Sequence, residues 1–306
     1  MPGAFVLAAL LLLPVGAQAS WLQSGYDAAR TSATTDAGPA WGDVAFSISL
    51  GNASLTNSGP LIHDGHVYVL GLEVTRTDVE GSLWLRATVS RIDLSTAEAT
   101  PLFSLPERHY DCCYARHYGV KLASDGRDLF ALHFDGISAY GLDGTPRWHW
   151  DHPVLASEFH SIRCAEPAIQ GRIMYVACSP SSGHTGDGDP TDANAFDPSY
   201  VAALDLDAHK PRWLRYWDQG NATDAGPVGT IWGFSVVGSR VLLAMETRPL
   251  EVALWALDSA DGDVEWTLSP EQSMAYVVHG QSYLGDYSAS EFASGRCRYY
   301  AFNTPP

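Results

Sequence analysis

The feature that most constrains the fold is a strand–turn–strand pattern that recurs five times along the chain. Each copy is a short apolar stretch, a turn that contains glycine, and a stretch rich in β-branched or aromatic residues. The copies are PLIHDGHVYVLG, VKLASDGRDLFALHF, PAIQGRIMYVAC, FSVVGSRVLLAM and YVVHGQSYLG, with turn glycines at Gly65, Gly126, Gly171, Gly238 and Gly280. Glycine supplies the positive φ that tight turns need, so each copy predicts a β-hairpin.

A second strand pair follows most of the hairpins and carries a recurring tryptophan. YVAALDLDAHKPRW ends at Trp213, LWALDSADGDVEW ends at Trp266, and GISAYGLDGTPRW ends at Trp148 after a shorter turn. RIDLSTAEATPLF is a degenerate copy. Each unit is therefore predicted to have four antiparallel strands, and repeated units of this kind are typical of β-propeller blades. A β-sandwich is the alternative, but it gives no reason for a tryptophan to recur at one place in each unit.

The N-terminus predicts export. An apolar run from Ala4 to Val15 is followed by the small-x-small pattern Ala17-Gln18-Ala19. Residues 1–19 are therefore predicted to be a cleaved signal peptide, with a buried N-terminal helix as the alternative. The run is short for a membrane span, and no other long apolar stretch occurs. We expect a secreted or extracytoplasmic protein without a transmembrane segment, in which residues 20–306 form a single propeller domain.

The charge balance excludes one class of partner. The chain has 35 acidic and 18 basic residues, which gives a net charge of −17. Such a surface repels nucleic acid and anionic lipid. We expect a soluble, acidic monomer that does not bind nucleic acid.

The units also resemble a known family. The order of hairpin glycine, Ala-Leu-Asp, Gly or Asp, and Trp is similar to the pyrroloquinoline-quinone (PQQ)-type propeller repeat. The segment WLQSGYDAARTSATTDAGPAWG resembles the one that opens many secreted members. The resemblance covers nearly all of the mature chain and implies a β-propeller. It says little about activity, because the repeat serves both enzymes and scaffolds.

The number of blades stays open at this point. About five units are visible in the chain, whereas members of the family usually have seven or eight blades. One expectation is a small closed ring, in which the strand AWGDVAFSISLG at residues 41–51 completes the last blade and removes exposed edges. The other expectation is a truncated larger propeller.

Two adjacent cysteines, Cys112 and Cys113, lie where the innermost strand of the second unit is expected to begin. In quinone-dependent alcohol dehydrogenases of this family, such a pair forms a disulfide against the quinone. The resemblance thus implies a vicinal disulfide, and a cofactor position near Cys112, Cys113 and Arg116 at the channel mouth. The family's Asp after the pair is replaced by Tyr114, and its Asn-Arg before the glycine is absent, which argues against a quinone. The alternative is that each cysteine pairs elsewhere or stays buried and inert.

Two further cysteines predict a cross-strand bridge. Cys164 and Cys178 stand seven residues to each side of Gly171. Folding of this hairpin brings them opposite each other, or one position off, at a Cα distance that permits a disulfide. Cys297 is then the odd thiol.

One loop offers oxygen ligands for a cation. The stretch SPSSGHTGDGDPTDANAFDPS interrupts the third unit and predicts a Ca²⁺ site, with a solvated surface loop as the alternative. The ligands would be Asp187, Asp189, Asp192 and Asn194. Four histidines near the expected unit mouths could line one face of the channel: His109, His117, His160 and His184. No two of them have a zincin spacing, which favours the alternative of surface histidines or histidines with satisfied hydrogen bonds.

The sequence favours binding over catalysis. It contains no Gly-x-Ser-x-Gly, P-loop, dinucleotide fingerprint or CxxC metal pair. We interpret the chain as a non-catalytic binding or scaffold module, with a protein or small-molecule ligand at the channel mouth. The rival is a PQQ-dependent alcohol or sugar dehydrogenase, or a fragment of one, with PQQ and Ca²⁺ as cofactors. A third, weaker reading is a hydrolase or lyase that uses the histidines.

Overall fold

The fold is built from β-strands. The computed structural model describes residues 22–23, 54–55, 58–77, 83–110, 120–153, 161–181, 199–217, 231–248, 251–268, 284–286 and 298–300. Every regular element in these ranges is a strand, and four antiparallel sheets follow one another along the chain. The predicted all-β, propeller-like fold with four-stranded blades is therefore confirmed. Over the same ranges no helix has the length and apolar character that a bilayer crossing requires.

The first two blades occupy residues 54–151. The first contains β1 (Ser54–Leu55), β2 (Leu61–His63), β3 (His66–Thr77), β4 (Leu83–Asp93), β5 (Ala99–Ser104) and β6 (Arg108–Tyr110). Strands β1 and β2 pair with successive parts of β3, and β5 and β6 pair with successive parts of β4, so six segments fill four strand positions. The second contains β7 (Lys121–Ser124), β8 (Asp128–His133), β9 (Gly136–Gly141) and β10 (Pro146–Asp151).

The later blades repeat this order. The third contains β11 (Ser161–Cys164), β12 (Ala168–Gln170), β13 (Ile173–Ser181), β14 (Ser199–Asp205) and β15 (Lys210–Trp217), with β11 and β12 both paired to β13. The fourth contains β16 (Ile231–Val237), β17 (Arg240–Arg248), β18 (Glu251–Asp258) and β19 (Val264–Leu268). In the fifth predicted unit the structure describes one antiparallel pair, β20 (Leu284–Asp286) and β21 (Arg298–Tyr300).

The blades pack through their innermost strands. Strand β2 lies beside β7, β7 beside β12, and β12 beside β16. Each pair of neighbouring blades encloses its own apolar core between the two sheets. The largest fully buried side chains include Phe130, Leu132, Met174, Tyr200, Leu243 and Met245. Strand residues alternate between the two cores that flank each sheet, so the blades are coupled face to face, as in a propeller.

The predicted turn glycines hold the expected backbone conformation. Gly65, Gly171 and Gly238 have φ values of 73°, 60° and 60° in two-residue turns, and Gly126 has φ 83°. Four of the five predicted hairpins are thus confirmed. Gly280 lies outside the described residues.

The three repeated tryptophans hold equivalent places, as predicted. Trp148, Trp213 and Trp266 lie in the outermost strands β10, β15 and β19, and each stands opposite an alanine at a shift of register. Those partners are Ala139, Ala203 and Ala256. In the degenerate first copy, Phe103 stands opposite Val89 beside the same kind of shift.

Trp148 and Trp213 dock on the turn of the next blade. The Trp213 indole N–H donates to the Ser259 carbonyl over 2.9 Å, and a Cβ at Gly262 would lie 2.6 Å from the Trp213 ring. Trp148 stacks on His209 at 5.1 Å between ring centroids. At the contact between blades 3 and 4, the glycine in the turn thus makes room for the ring.

Some predictions fall outside the described residues. They are the signal peptide at residues 1–19, the closing strand at 41–51 and the free thiol at Cys297. These stay predictions, as does the extent of the domain over residues 20–306.

Candidate functional site

The blades have one face with short turns and one with longer connections. Because successive strands are antiparallel, two sets of connections lie on opposite faces. The turn face carries residues 64–65, 94–98, 125–127, 142–145, 171–172, 206–209, 238–239 and 259–263. The strands that flank residues 78–82, 111–120, 152–160, 182–198 and 218–230 in the sequence end at the opposite face, which we call the connection face. Longer connections on a rigid scaffold are the usual place for binding residues, so the connection face is the candidate site.

The site residues predicted from sequence belong to these connections. Cys112, Cys113 and Arg116 lie between β6 and β7, and the acidic stretch lies between β13 and β14. That stretch contains Asp187, Asp189, Asp192 and Asn194. All seven residues lie outside the described residues, as do His117, His160 and His184, so the vicinal disulfide, the quinone position and the Ca²⁺ site stay predictions. The backbone of His109 belongs to β6.

A directed chain of hydrogen bonds crosses the second blade at the connection face. The Asp135 backbone N–H donates to His133 Nδ1 over 3.3 Å, so the proton of this neutral ring is on Nε2. Nε2 lies 2.8 Å from Ser138 Oγ, which lies 3.0 Å from His149 Nδ1. His149 Nε2 in turn lies 3.3 Å from a carboxylate oxygen of Asp151. The chain therefore runs from His133 through the Ser138 hydroxyl and the His149 ring to the exposed Asp151 carboxylate.

The strand pattern explains how these groups meet. In the sequence WHWDH, Trp148 and Trp150 pack against the core between blades 2 and 3. Alternation along β10 then puts His149 and Asp151 on the opposite side of the sheet. Ser138 is the direct cross-strand partner of His149, so the register of β9 and β10 brings the hydroxyl to the ring.

A third histidine is buried beside this chain. His152 Nε2 lies 2.7 Å from the His133 carbonyl oxygen, and His152 Nδ1 is hydrogen-bonded to the Tyr200 hydroxyl. Burial, reinforced by nearby His149, lowers the pKa of His152 to about 4, and the His133 carbonyl opposes this only in part. Burial and the neighbouring histidines likewise lower the pKa of His133 to about 3. Both rings are therefore neutral at pH 7.

The disulfide that the hairpin spacing predicts is present. Cys164 and Cys178 are directly opposed in β11 and β13, with 4.0 Å between their Cα atoms, and they are bridged. Both are buried in the core between blades 2 and 3. Their sulfurs and a ring nitrogen of His152 all lie within 4.8 Å of one another, which makes these three residues the one group of metal-ligand type found among the described residues.

Arginine–aromatic pairs lie at the same end of blades 1 and 2. The Arg76 guanidinium is 3.6 Å from the centroid of the Trp84 ring, at the ends of β3 and β4. The Arg108 guanidinium is 5.9 Å from the Phe134 ring and pairs with Asp135 of the second blade. Arginine and large aromatic side chains are enriched in protein–protein interfaces. This end of the molecule thus has the composition of a binding surface.

Sequence reasoning missed the histidine cluster. His133 ends β8, whereas His149 and His152 lie within and just after β10, so the first meets the other two only through strand pairing. One signal was present, the alternating WHWDH, which places a histidine and an acid on one side of an outer strand. The serine that joins the two rings depends on register, which this pattern does not contain.

Comparisons with known proteins give distant likenesses. No protein-family model and no curated protein matches the chain. Among solved structures, it is similar to a quinohemoprotein alcohol dehydrogenase from Pseudomonas putida HK5, with 14% identity, a TM-score of 0.46, and coverage of 82% of this chain and 40% of that chain. A protein of unknown function from Bacteroides caccae is 13% identical, with a TM-score of 0.34 over 72% of this chain and 61% of that one. A chain of the mitotic checkpoint complex is 12% identical, with a TM-score of 0.32 over 83% and 87% of the two chains.

These likenesses concern the fold alone. At such identity they carry no residue roles to this chain, and the chain spans 40% of the dehydrogenase's length. They assign the chain to no particular repeat family.

Proposed function

We propose that this chain is an exported, non-catalytic propeller of the PQQ-like type that binds a protein partner on its connection face. The observation that carries the proposal is the difference between the two faces. The turn face is closed by short hairpin turns, whereas the connection face combines long connections with the described surface groups of blades 1 and 2. Those groups are Arg76, Trp84, Arg108, Phe134 and His149.

The chemistry of these groups suits recognition. Trp84 and Phe134 are partly buried rings, each with an arginine over it, so each pair presents apolar area beside a guanidinium group. His149 is exposed and already oriented by Ser138 and Asp151. Side chains held in place before binding lose less conformational entropy when a partner docks.

Export also supports the proposal. The predicted signal peptide leads to a compartment in which disulfides persist, and the Cys164–Cys178 bridge is compatible with it. Detection of the mature chain outside the cytoplasm, with its N-terminus at Ser20, would test this part.

The binding proposal is tested with variants matched between the two faces. Cross-linking in the native extracytoplasmic extract identifies a partner, and its affinity is then measured with purified proteins. Trp84→Ala and His149→Ala should each weaken binding about tenfold or more, which is about 1.4 kcal/mol. Leu94→Ala changes an exposed apolar residue on the turn face and should leave the affinity unchanged. A loss of affinity in Leu94→Ala, with none in the other two variants, would mean that the partner binds the turn face and would contradict the proposal.

The rival activity has its own measurement. The purified protein is titrated with PQQ and Ca²⁺, and its absorbance and alcohol oxidation are recorded. We expect neither tight binding nor turnover. Tight quinone binding that is lost on replacing Cys112 and Cys113 with Ser would instead support the dehydrogenase.

A further inference from the structure

Three potential metal ligands meet in the core between blades 2 and 3. The sulfurs of Cys164 and Cys178 and a ring nitrogen of His152 lie within 4.8 Å of one another, and all three residues are buried. A tetrahedral Zn²⁺ site has bonds of about 2.3 Å to sulfur and about 2.0 Å to nitrogen, so its ligand atoms are about 3.5 Å apart. The two bonded sulfurs would have to separate to about that distance. The distance from the histidine nitrogen to the sulfurs exceeds the value for a zinc site by at most about 1.3 Å.

The hydrogen bonds of His152 prepare it as a ligand. A carbonyl oxygen only accepts, so the contact of Nε2 with the His133 carbonyl fixes the proton on Nε2. Nδ1 therefore carries the lone pair, and the Tyr200 hydroxyl donates to it. A backbone carbonyl that holds the second ring nitrogen is a common outer-shell partner of metal-bound histidines.

We propose that reduction of the Cys164–Cys178 disulfide creates a buried Cys2His site for a thiophilic cation such as Zn²⁺, with His152 Nδ1 as the third ligand. A thiol reductant converts the disulfide into two thiols and is itself oxidised to a disulfide. The cation then replaces both thiol protons, which are released to solvent, and Nδ1 exchanges the Tyr200 hydrogen bond for the metal bond. Thiolate and imidazole are the ligands that Zn²⁺ prefers.

The surroundings are largely apolar. The disulfide packs with Ile169, Met174 and Val176 in the core, so a bound cation would be held between two blades. The three protein ligands leave the fourth position of the tetrahedron to the Tyr200 hydroxyl, which lies beside Nδ1, or to a water molecule. The two sulfurs are either bonded to each other or bound to the metal. In either redox state the same two cysteines would therefore link β11 to β13.

The test uses the full mature chain with Cys112, Cys113 and Cys297 replaced by Ser, so that only the Cys164–Cys178 pair can contribute thiols. The pair is reduced with a phosphine, which the disulfide oxidises to the phosphine oxide while water supplies the oxygen atom and the two thiol protons, and the two thiols are counted. Co²⁺ is then added as a spectroscopic probe, and Zn²⁺ is used in competition. We expect one Co²⁺ per chain with a sulfur-to-cobalt charge-transfer band, displacement by Zn²⁺, and no band in the oxidised protein.

Two variants separate the site from adventitious binding. His152→Ala should weaken Co²⁺ binding about tenfold or more, whereas His209→Asn, which alters an exposed histidine on the turn face, should bind as the parent does. Any of three outcomes would overturn the proposal. The first is the absence of the charge-transfer band although two free thiols are present, and the second is an equal Co²⁺ affinity in His152→Ala. The third is a reduction that succeeds only when circular dichroism shows unfolding.

Discussion

Gln23 satisfies two backbone groups of a strand far away in the sequence. Its side-chain amide nitrogen donates to the Ile169 carbonyl over 3.0 Å, and its oxygen accepts from the Ile169 N–H over 2.6 Å. The side chain thus acts as an added rung on β12, the innermost strand of blade 3. Next to it, the Leu22 carbonyl accepts from the Ser124 N–H of blade 2 over 2.7 Å. This short segment therefore ties two blades together at the turn face.

Gln23→Ala should lower the free energy of unfolding by about 1–3 kcal/mol, because Ile169 loses two partners in a buried place. Gln23→Glu should cost about as much at neutral pH, since the carboxylate cannot donate to the Ile169 carbonyl. Urea denaturation measures both. Gln170→Ala, at an exposed position on the same strand, is the control and should change little. Equal effects at the two glutamines would contradict this role.

The buried histidines make stability depend on pH. The pKa of His152 is lowered to about 4 in the folded protein, against about 6.5 in the unfolded chain. Between these values the unfolded state binds more protons, so the free energy of unfolding falls as pH drops from about 6.5 to 4. The shift corresponds to roughly 3 kcal/mol for this residue.

His152→Asn should reduce the loss of stability between pH 7 and 4, because Asn does not titrate. His149→Asn, at the exposed end of the hydrogen-bond chain, is the matched control and should leave most of the loss in place. Chemical denaturation at several pH values gives the comparison. A wild-type stability that is constant over this range would contradict the burial of neutral histidines.

The same residues show what the sequence could and could not predict. The Cys164–Cys178 bridge followed from the distance of each cysteine to one turn glycine, because a hairpin is a local structure. The contact of His152 with Tyr200 joins two blades, and Ser138 meets two imidazoles through register alone. Such contacts depend on strand register and on how the sheets pack together, and neither can be read from the local sequence pattern.

At the scale of elements, the residues that recur in each repeat lie where a strand meets a turn. In blades 1, 3 and 4 the aspartate at the end of the third strand caps the turn that follows: in blade 3, the Asp205 carboxylate accepts the N–H groups of Asp207 and Ala208. These hydrogen bonds, with help from Arg212, hold the pKa of Asp205 below its usual value. The tryptophan of the next strand then packs on the turn of the following blade. The recurring Asp and Trp therefore act together: the first caps a turn, and the second packs on the turn of the next blade. Their spacing was visible in the sequence, although their contacts were not.

Trp213 and Trp266 form a matched pair that tests whether docking on the next blade stabilises the protein. Trp213 is 8% exposed and donates to Ser259 of the next blade, whereas Trp266, at the equivalent place in blade 4, is 36% exposed. Trp213→Ala should cost about 3–5 kcal/mol of unfolding free energy, the usual range for a buried tryptophan. Trp266→Ala should cost less than half as much, because less of its ring is removed from water. Urea denaturation of the two variants decides, and equal losses would show that docking on the next blade does not stabilise the protein.

At the scale of the whole molecule, the blades are held by apolar cores while the surface carries unbalanced charge. The 35 acidic residues exceed the 18 basic ones, so the carboxylates carry an excess of negative charge. Ion pairs in the described blades, such as Arg212–Asp205 and Arg172–Asp207, lie at the surface. Each such pair contributes about 0–1 kcal/mol, and salt weakens it. Salt also weakens the repulsion among the carboxylates, which acts over the whole chain.

The balance between these two effects gives a final prediction. Raising the NaCl concentration from about 0.01 M to about 0.1 M shortens the Debye length from about 30 Å to about 10 Å. At 30 Å each carboxylate senses most of the net charge of −17, whereas an ion pair in direct contact is screened much less over this range. Repulsion should therefore lose more than the pairs lose, and Tm should rise with salt in a thermal melt followed by circular dichroism. A zwitterionic solute at equal osmolarity does not screen charge and should leave Tm nearly unchanged. A Tm that falls as NaCl is added would mean that the surface ion pairs, and not the excess of carboxylates, dominate the electrostatics of folding.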